Sequence, residues 1–262
     1  MNLTDKIKII GPGILINNKI LVLSDFHFGY EEMLTKRGIM IPRFQYKDIE
    51  DTLKRVLAEV QPEKIIITGD LKHEFGKLNN QEWREIRNTL DFLKKSLEEN
   101  KNGRKGEVIV IKGNHDTSLI SLLRKLDVKL EDKFIYKNFL TIHGDKEIKI
   151  PRQVDTIIIG HEHPAIKFYT VGRRESYKCF FITKYKEKNL KNKLFSKSKT
   201  LIVLPSMNPL TQGTDLINQE FLSPFIKKAK GRIIIYHNNE HYDFGELSKL
   251  KKLTRQDIDR LF

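Results

Sequence analysis

The 262-residue chain has almost no cysteine: Cys179 stands alone, with no partner for a disulfide. It lies in Lys178-Cys179-Phe180-Phe181-Ile182, the setting of a small buried hydrophobe, and a lone thiol suits a reducing compartment. No apolar run approaches the roughly 20 residues that a membrane helix requires. Met1 to Ile10 lacks the apolar block and small-residue cleavage site of a secretory signal. These absences point to a cytoplasmic protein with no membrane partner. Linkers and internal repeats are missing too, so one domain over residues 1–262 is expected. Acidic residues are outnumbered, 34 against 48 Lys and Arg, leaving a net charge of +14. That excess favours a polyanionic partner, nucleic acid above all. A Lys-, Ile- and Glu-rich chain with few glutamines also fits an AT-rich genome or a hot habitat.

What is present centres on Ser24-Asp25-Phe26-His27-Phe28-Gly29. The preceding Ile20-Leu21-Val22-Leu23 predicts a buried strand. Asp25 and His27, two positions apart where it stops, share a face. Upstream, Ile7–Ile10 and Ile14–Ile16 predict strands, the latter pairing with Ile20–Val22 across Asn17-Asn18. Helices are expected over Glu31–Arg37, over Gln45–Val60, and over Gln81–Glu99 with Trp83, Ile86, Leu90, Leu93 and Leu97 inward, closed by Asn102-Gly103. Lys64–Thr68 and Glu107–Ile111 read as strands between them, and Thr117–Leu126 as a helix. Beyond, the pattern is strand-rich: residues 133–136, 139–142, 156–159, 165–170, 176–183, 200–204 and 232–236, with a terminal helix over 255–262. Alternating strands and helices followed by a strand-rich half predict parallel strands joined to an antiparallel set, with helices outside.

Five apolar strands run into candidate ligands: Asp25 and His27, then Asp70, then Asn114 and His115, then His143, then His161 and His163. Loops at the carboxyl ends of strands converge on one crevice in such sheets. Each motif alone has a bland reading: Gly69-Asp70 as a common turn, Asn114 or Asp116 as a helix cap, the last histidines as an exposed loop. The ordered set points to metal instead. Seven donors of oxygen and nitrogen type exceed one ion's needs and suit two divalent ions sharing a carboxylate.

The series Asp-x-His, Gly-Asp, Gly-Asn-His-Asp, His, Gly-His-x-His resembles the calcineurin-like metallophosphoesterase superfamily. Residues 25–31, 38–43 and 69–73 look more narrowly like small archaeal SbcD-related phosphoesterases and bacterial DNA-ligase-associated phosphoesterases. The resemblance implies an α/β fold: a two-sheet β-sandwich flanked by helices in four α/β/β/α layers. It implies that Asp25, His27 and His163 hold one metal, that Asn114, His143 and His161 hold the other, and that Asp70 bridges them. His115 would contact phosphate or protonate the leaving oxygen, oriented by Asp116. Many members place an Asp three residues after Gly-Asp, then Arg-Gly; here Leu71-Lys72-His73-Glu74-Phe75-Gly76 stands instead. His73 and Glu74 are candidates to replace them, His73 as a substrate contact, or are ordinary loop residues.

Manganese is the first expectation for the ions, with iron, zinc or nickel compatible with the same donors. From Lys184 to Lys199 seven lysines surround one glutamate and interleave with Tyr185, Leu194 and Phe195. Lys184, Lys186, Lys188, Lys191 and Lys193 are candidate nucleic-acid contacts on this strip; the bland reading is a solvated hairpin tip. Residues 205–215 are rich in turn formers, either a rim of the cleft or a structural loop. The expected function is a two-metal phosphodiesterase cleaving nucleic-acid or nucleotide esters by attack of metal-bound hydroxide. Alternatives are a broad phosphomonoesterase, or a scaffold among DNA-repair proteins with a weak metal site.

Overall fold

Runs such as Ile65-Ile66-Ile67 offer solvent no polar face, so strands built from them need cover on both sides. The computed structural model, which describes residues 1–98, 106–170, 173–186, 198–218, 220–228 and 230–250, meets this with two stacked sheets. The first takes seven strands in chain order: β1 (Asn2–Thr4), β2 (Ile7–Ile10), β3 (Gly13–Ile16), β4 (Ile20–Leu23), β5 (Lys64–Ile67), β6 (Glu107–Ile111) and β7 (Lys129–Glu131). Strands β1 to β4 form an antiparallel meander, and β4 to β7 run parallel. Asn17 and Asn18 turn the chain between β3 and β4 at φ 49° and 55°, a left-handed backbone that asparagine tolerates. Helices α1 (Tyr30–Lys36), α2 (Gln45–Glu59), α3 (Asn80–Glu98) and α4 (Ile120–Lys125) lie between the parallel strands.

The second sheet holds β8 (Phe134–Tyr136), β9 (Phe139–Ile142), β10 (Thr156–Ile159), β11 (Pro164–Thr170), β12 (Arg173–Tyr185), β13 (Lys199–Val203), β14 (Thr214–Asp215), β15 (Arg232–His237) and β16 (Glu240–Glu246). Here β9, β10 and β13 are mutually parallel, so the strand-rich half is mixed rather than antiparallel throughout.

Alternate residues of each central strand enter different cores. Ile20, Val22, Ile66, Ile109 and Ile111 meet Ile158, Phe180, Ile202 and Ile234 between the sheets. Leu21, Leu23, Ile65, Ile67, Val108 and Val110 turn the other way, against Ile49, Leu53 and Val56 of α2 and Ile86, Leu90 and Leu93 of α3. Behind the second sheet, Ile157, Ile159, Leu201 and Val203 pack on Ile150, Val154, Leu216, Phe225 and the short helix α5 (Leu247–Leu250). Full burial of each such side chain contributes about 1.5–3 kcal/mol, which anchors the strand ends where the candidate ligands begin.

Trp83 departs from expectation: it is 43% exposed, with the Arg87 guanidinium over its ring. The first two turns of α3 bury Gln81, Glu82 and Glu85 instead. Glu82 accepts from the Asn79 amide (3.0 Å) while Asn79 Oδ1 accepts from the Glu82 amide (2.8 Å), a reciprocal cap. The segment expected as one helix over 117–126 is a 3-10 turn, Asp116–Ser118, followed by α4. The closure at 102–103 and the helix over 255–262 fall outside the described residues. Among those described, no helix is long and apolar enough to cross a membrane.

Candidate metal centre

Strands β4, β5 and β6 of one sheet and β9 and β10 of the other end on the same edge of the sandwich. The residues just past them are Asp25 and His27, Asp70, Asn114, His143, and His161 and His163. Asp25, His27, Asp70 and His163 form one group and Asp70, His143 and His161 a second, donor atoms in each lying within 4.8 Å of one another. Asp70 belongs to both. Asn114 Oδ1 lies 2.9 Å from His143 Nε2, which adds it to the second group.

Both turns and glycines build this crowding. Asp25, His27, Asp70, His161 and His163 all adopt left-handed backbone, with φ between 45° and 62°. Such conformations cost roughly 1–3 kcal/mol each and persist where the surroundings enforce them. The enforcement is partly a lack of space: a Cβ on Gly113 would sit 2.1 Å from Asp70 Oδ1, and one on Gly160 would sit 2.4 Å from Asp25 Oδ2. The glycines that precede the ligands are therefore the room in which the carboxylates lie.

The donor set fits divalent cations. His143 Nδ1 donates to the Thr68 carbonyl at 2.7 Å, which turns Nε2 toward the cluster. Its Nε2 points at Asp70 Oδ2 (3.5 Å) and His161 Nδ1 (3.2 Å). His27 Nε2 likewise meets His163 Nε2 at 3.2 Å and Asp70 Oδ2 at 3.7 Å. A divalent ion among them would find nitrogen and carboxylate donors already converged. Charge tells the same story. Burial, and then the nearby charges of Asp25 and Asp116, push the Asp70 carboxyl well above the usual carboxylate range. Burial, and then His163, push His27 well below the ordinary imidazole value; burial and His143 bring His161 to about 4. For Asp25, burial acts upward as the largest single influence, but the charge and hydrogen bond of His163 together with the charges of His143 and His27 outweigh it and hold the carboxyl down. The buried His/Asp cluster is consistent with a binuclear metal site.

His115 stands at the edge of the cluster. Its Nε2 is 3.9 Å from Asp70 Oδ2, and its Nδ1 hydrogen-bonds the His73 carbonyl. The expected role of Asp116 in orienting His115 is not what the geometry provides. Asp116 is buried and accepts from the Leu71 and Gly113 amides (3.0 and 3.1 Å), stitching two ligand loops together. The orienting partner is the His73 carbonyl instead. His73 does reach the site, with Nδ1 3.4 Å from His27 Nδ1.

Several supports were invisible in the sequence. The His27 carbonyl accepts from Gln45 Nε2 (2.7 Å) and Asn208 Nδ2 (3.2 Å), both fully buried. Gln45 is set in turn by Glu31, whose Oε1 caps the Phe44 and Gln45 amides at 2.7 Å. Ser206 Oγ donates to the Asp25 carbonyl (2.6 Å), and the Ser24 hydroxyl to the Asp25 carboxylate. Within residues 205–215, then, Ser206 and Asn208 brace the ligand loop from behind. A polar Ser and Asn directly after an apolar strand was the only signal.

The same brace is held by Lys178, whose ammonium donates to the Ser206 (3.0 Å) and Asn208 carbonyls. Burial pushes this group from near 10.5 down to about 7. Between those values the unfolded chain binds more protons, so the penalty of enclosing the charge shrinks as pH rises. The melting temperature of the wild type relative to Lys178→Met should therefore gain about 2–5 °C between pH 7 and pH 9. A flat or falling difference would contradict this.

Lys184 and Lys186 are not part of the centre. Lys184 pairs with Thr200 and Thr200 with Thr156, three residues from the Ile159 end of β10, or roughly 10 Å along the strand. They line a cleft with Lys227, Lys228 and Lys230 instead. Strands β12 and β13 do form the two arms of a hairpin there. Lys188, Lys191 and Lys193 lie outside the described residues.

Comparison with known proteins adds to this geometry. A search of curated sequences found no match. Among solved structures, nuclease MPE from Pseudomonas putida superposes with a TM-score of 0.57 at 17% identity, covering 91% of this chain and 94% of that one. YfcE, a phosphoesterase from E. coli, gives 0.40 at 11% identity, covering 87% and 97%. The profile of the calcineurin-like phosphoesterases matches residues 18–236, bracketing every donor of the centre. That span, with the buried His/Asp cluster inside it, makes this chain a member of the calcineurin-like phosphoesterase family and a metal-dependent phosphoesterase.

Proposed function

We propose that the chain is a two-metal phosphodiesterase acting on nucleic acid or nucleotides. The observation that carries the reading is Asp70, shared by two donor groups at the ends of five strands. Asp25, His27, Asp70 and His163 would hold one ion, and Asp70, Asn114, His143 and His161 the other. Divalent ions so held neutralise phosphoryl oxygens and lower the pKa of a nucleophilic water. The chain itself supplies His115: with Nδ1 committed to the His73 carbonyl, Nε2 faces the centre, where the doubly protonated ring would donate its second proton to a phosphoryl oxygen or to the leaving one. Asp116 would act as a positioning residue, through the loops it joins. Manganese is the first choice of metal, from the oxygen and nitrogen donors without thiolate.

Three things support a nucleic-acid or nucleotide ester. The net charge is +14. The cleft at Lys184, Lys186, Lys227, Lys228 and Lys230 adds a second cationic surface away from the centre. The P. putida protein of the same fold is a nuclease. The narrower likeness to SbcD-related and ligase-associated phosphoesterases agrees and would set the protein in the cytoplasm near DNA repair. The core shared between the sheets supports a single domain. The test is manganese-loaded protein on bis-p-nitrophenyl phosphate, p-nitrophenyl phosphate and a single-stranded oligonucleotide. The diester should be turned over faster than the monoester and the oligonucleotide cleaved. Faster monoester turnover with an intact oligonucleotide would replace this reading by a phosphomonoesterase.

A further inference from the structure

Phe75 is 68% exposed, yet its ring lies on that of His115, centroids 3.9 Å apart and planes 26° apart. It ends a run of contacting rings: Tyr30 on His73 at 4.5 Å, His73 on His115 at 5.8 Å, His115 on Phe75. Its neighbour Glu74 is tethered three ways. The Glu74 amide donates to Glu82 Oε1 (3.3 Å), its carbonyl accepts from the buried Lys72 ammonium, and its carboxylate pairs with Lys36 (3.3 Å). The loop thus holds an apolar ring in solvent beside His115, which faces the centre without belonging to either donor group.

We infer that Phe75 forms one wall of a stacking subsite for the nucleobase next to the scissile phosphate. The inference rests on the phosphodiesterase reading and names what that site binds besides phosphate. One face of Phe75 is spent on His115, and its exposure leaves surface for a second planar group at stacking distance. A phosphate at the metal centre would bring its attached nucleoside to this rim. Stacking on an aromatic side chain accepts any base, because every base has a π-face. The subsite therefore gives affinity for nucleotides without selecting among them.

The test separates base from phosphate. In metal-loaded protein, adenosine monophosphate and ribose 5-phosphate would compete against bis-p-nitrophenyl phosphate. Phe75→Ala should raise the inhibition constant of the nucleotide about 10-fold, the scale of one lost stacking contact, and leave that of the sugar phosphate unchanged. A readout independent of turnover uses Phe75→Trp with Trp83→Phe, Trp83 being the only native tryptophan. Its fluorescence should be quenched by adenosine monophosphate and not by ribose 5-phosphate. Equal quenching, or equal change in both inhibition constants, overturns the subsite while diester turnover leaves the phosphodiesterase reading intact. Selective quenching in a protein that hydrolyses no diester supports the subsite and overturns that reading instead.

Discussion

Asp70→Asn should empty both metal positions together. Asp70 is the only donor present in both groups, and its carboxylate lies 3.7 Å from His27 Nε2 on one side and 3.5 Å from His143 Nε2 on the other. An amide keeps the shape and removes the charge that two cations would share. Affinity at each position should fall by about 100-fold or more, beyond what loss of a supporting hydrogen bond costs a metal site. The diesterase rate should fall at least as far. Metal content after dialysis, by elemental analysis, should drop from two equivalents toward none, whereas Asp25→Asn should lose chiefly one. The metal-free mutant should also melt no lower than the metal-free wild type. Burial and the charges of Asp25 and Asp116 already disfavour the ionised Asp70, so an amide there relieves repulsion. Two retained equivalents in Asp70→Asn would contradict the shared-carboxylate arrangement.

His115→Ala should do the reverse: most of the rate lost, metal kept. Its ring touches the Asp70 carboxylate only at 3.9 Å and lies outside both groups, so no ion depends on it. What it offers is an Nε2 aimed inward by the bond from Nδ1 to the His73 carbonyl. Loss of a general acid or a phosphoryl contact is worth about 10²–10⁴ in kcat. The measurement is kcat on bis-p-nitrophenyl phosphate with metal content determined on the same sample. Parallel loss of metal and rate would make His115 a ligand and refute the assignment.

The sandwich and the donors were legible because both rest on the strands. A strand buried on two faces reads as an unbroken apolar run, and the turn after it is where backbone polarity and function are allowed. Ile157-Ile158-Ile159 before Gly160-His161 shows both at once, its side chains split between two cores. What was not legible depends on contacts distant in sequence. Gln45 and Asn208 close on the His27 carbonyl from opposite ends of the chain, and neither has a local pattern to announce it. The resemblance implies that Asp116 orients His115, but the backbone turns its carboxylate toward the Leu71 and Gly113 amides. Trp83 was drawn inward by helical spacing from Ile86 and Leu90. The first turn of α3 instead faces the polar loop before it, where Glu82 bonds the Asn79 amide. The left-handed φ of five ligand residues has a sequence mark only at Asp70 and His161, each preceded by glycine, and none at Asp25, His27 and His163.

The most direct test of the account is a titration of metal-stripped protein with manganese, following bound metal and bis-p-nitrophenyl phosphate hydrolysis in the same samples. Two equivalents should bind per chain, with little activity at the first and full activity only as the second fills. Full activity at one equivalent, or hydrolysis that persists with no metal bound, would contradict a centre built around a shared Asp70.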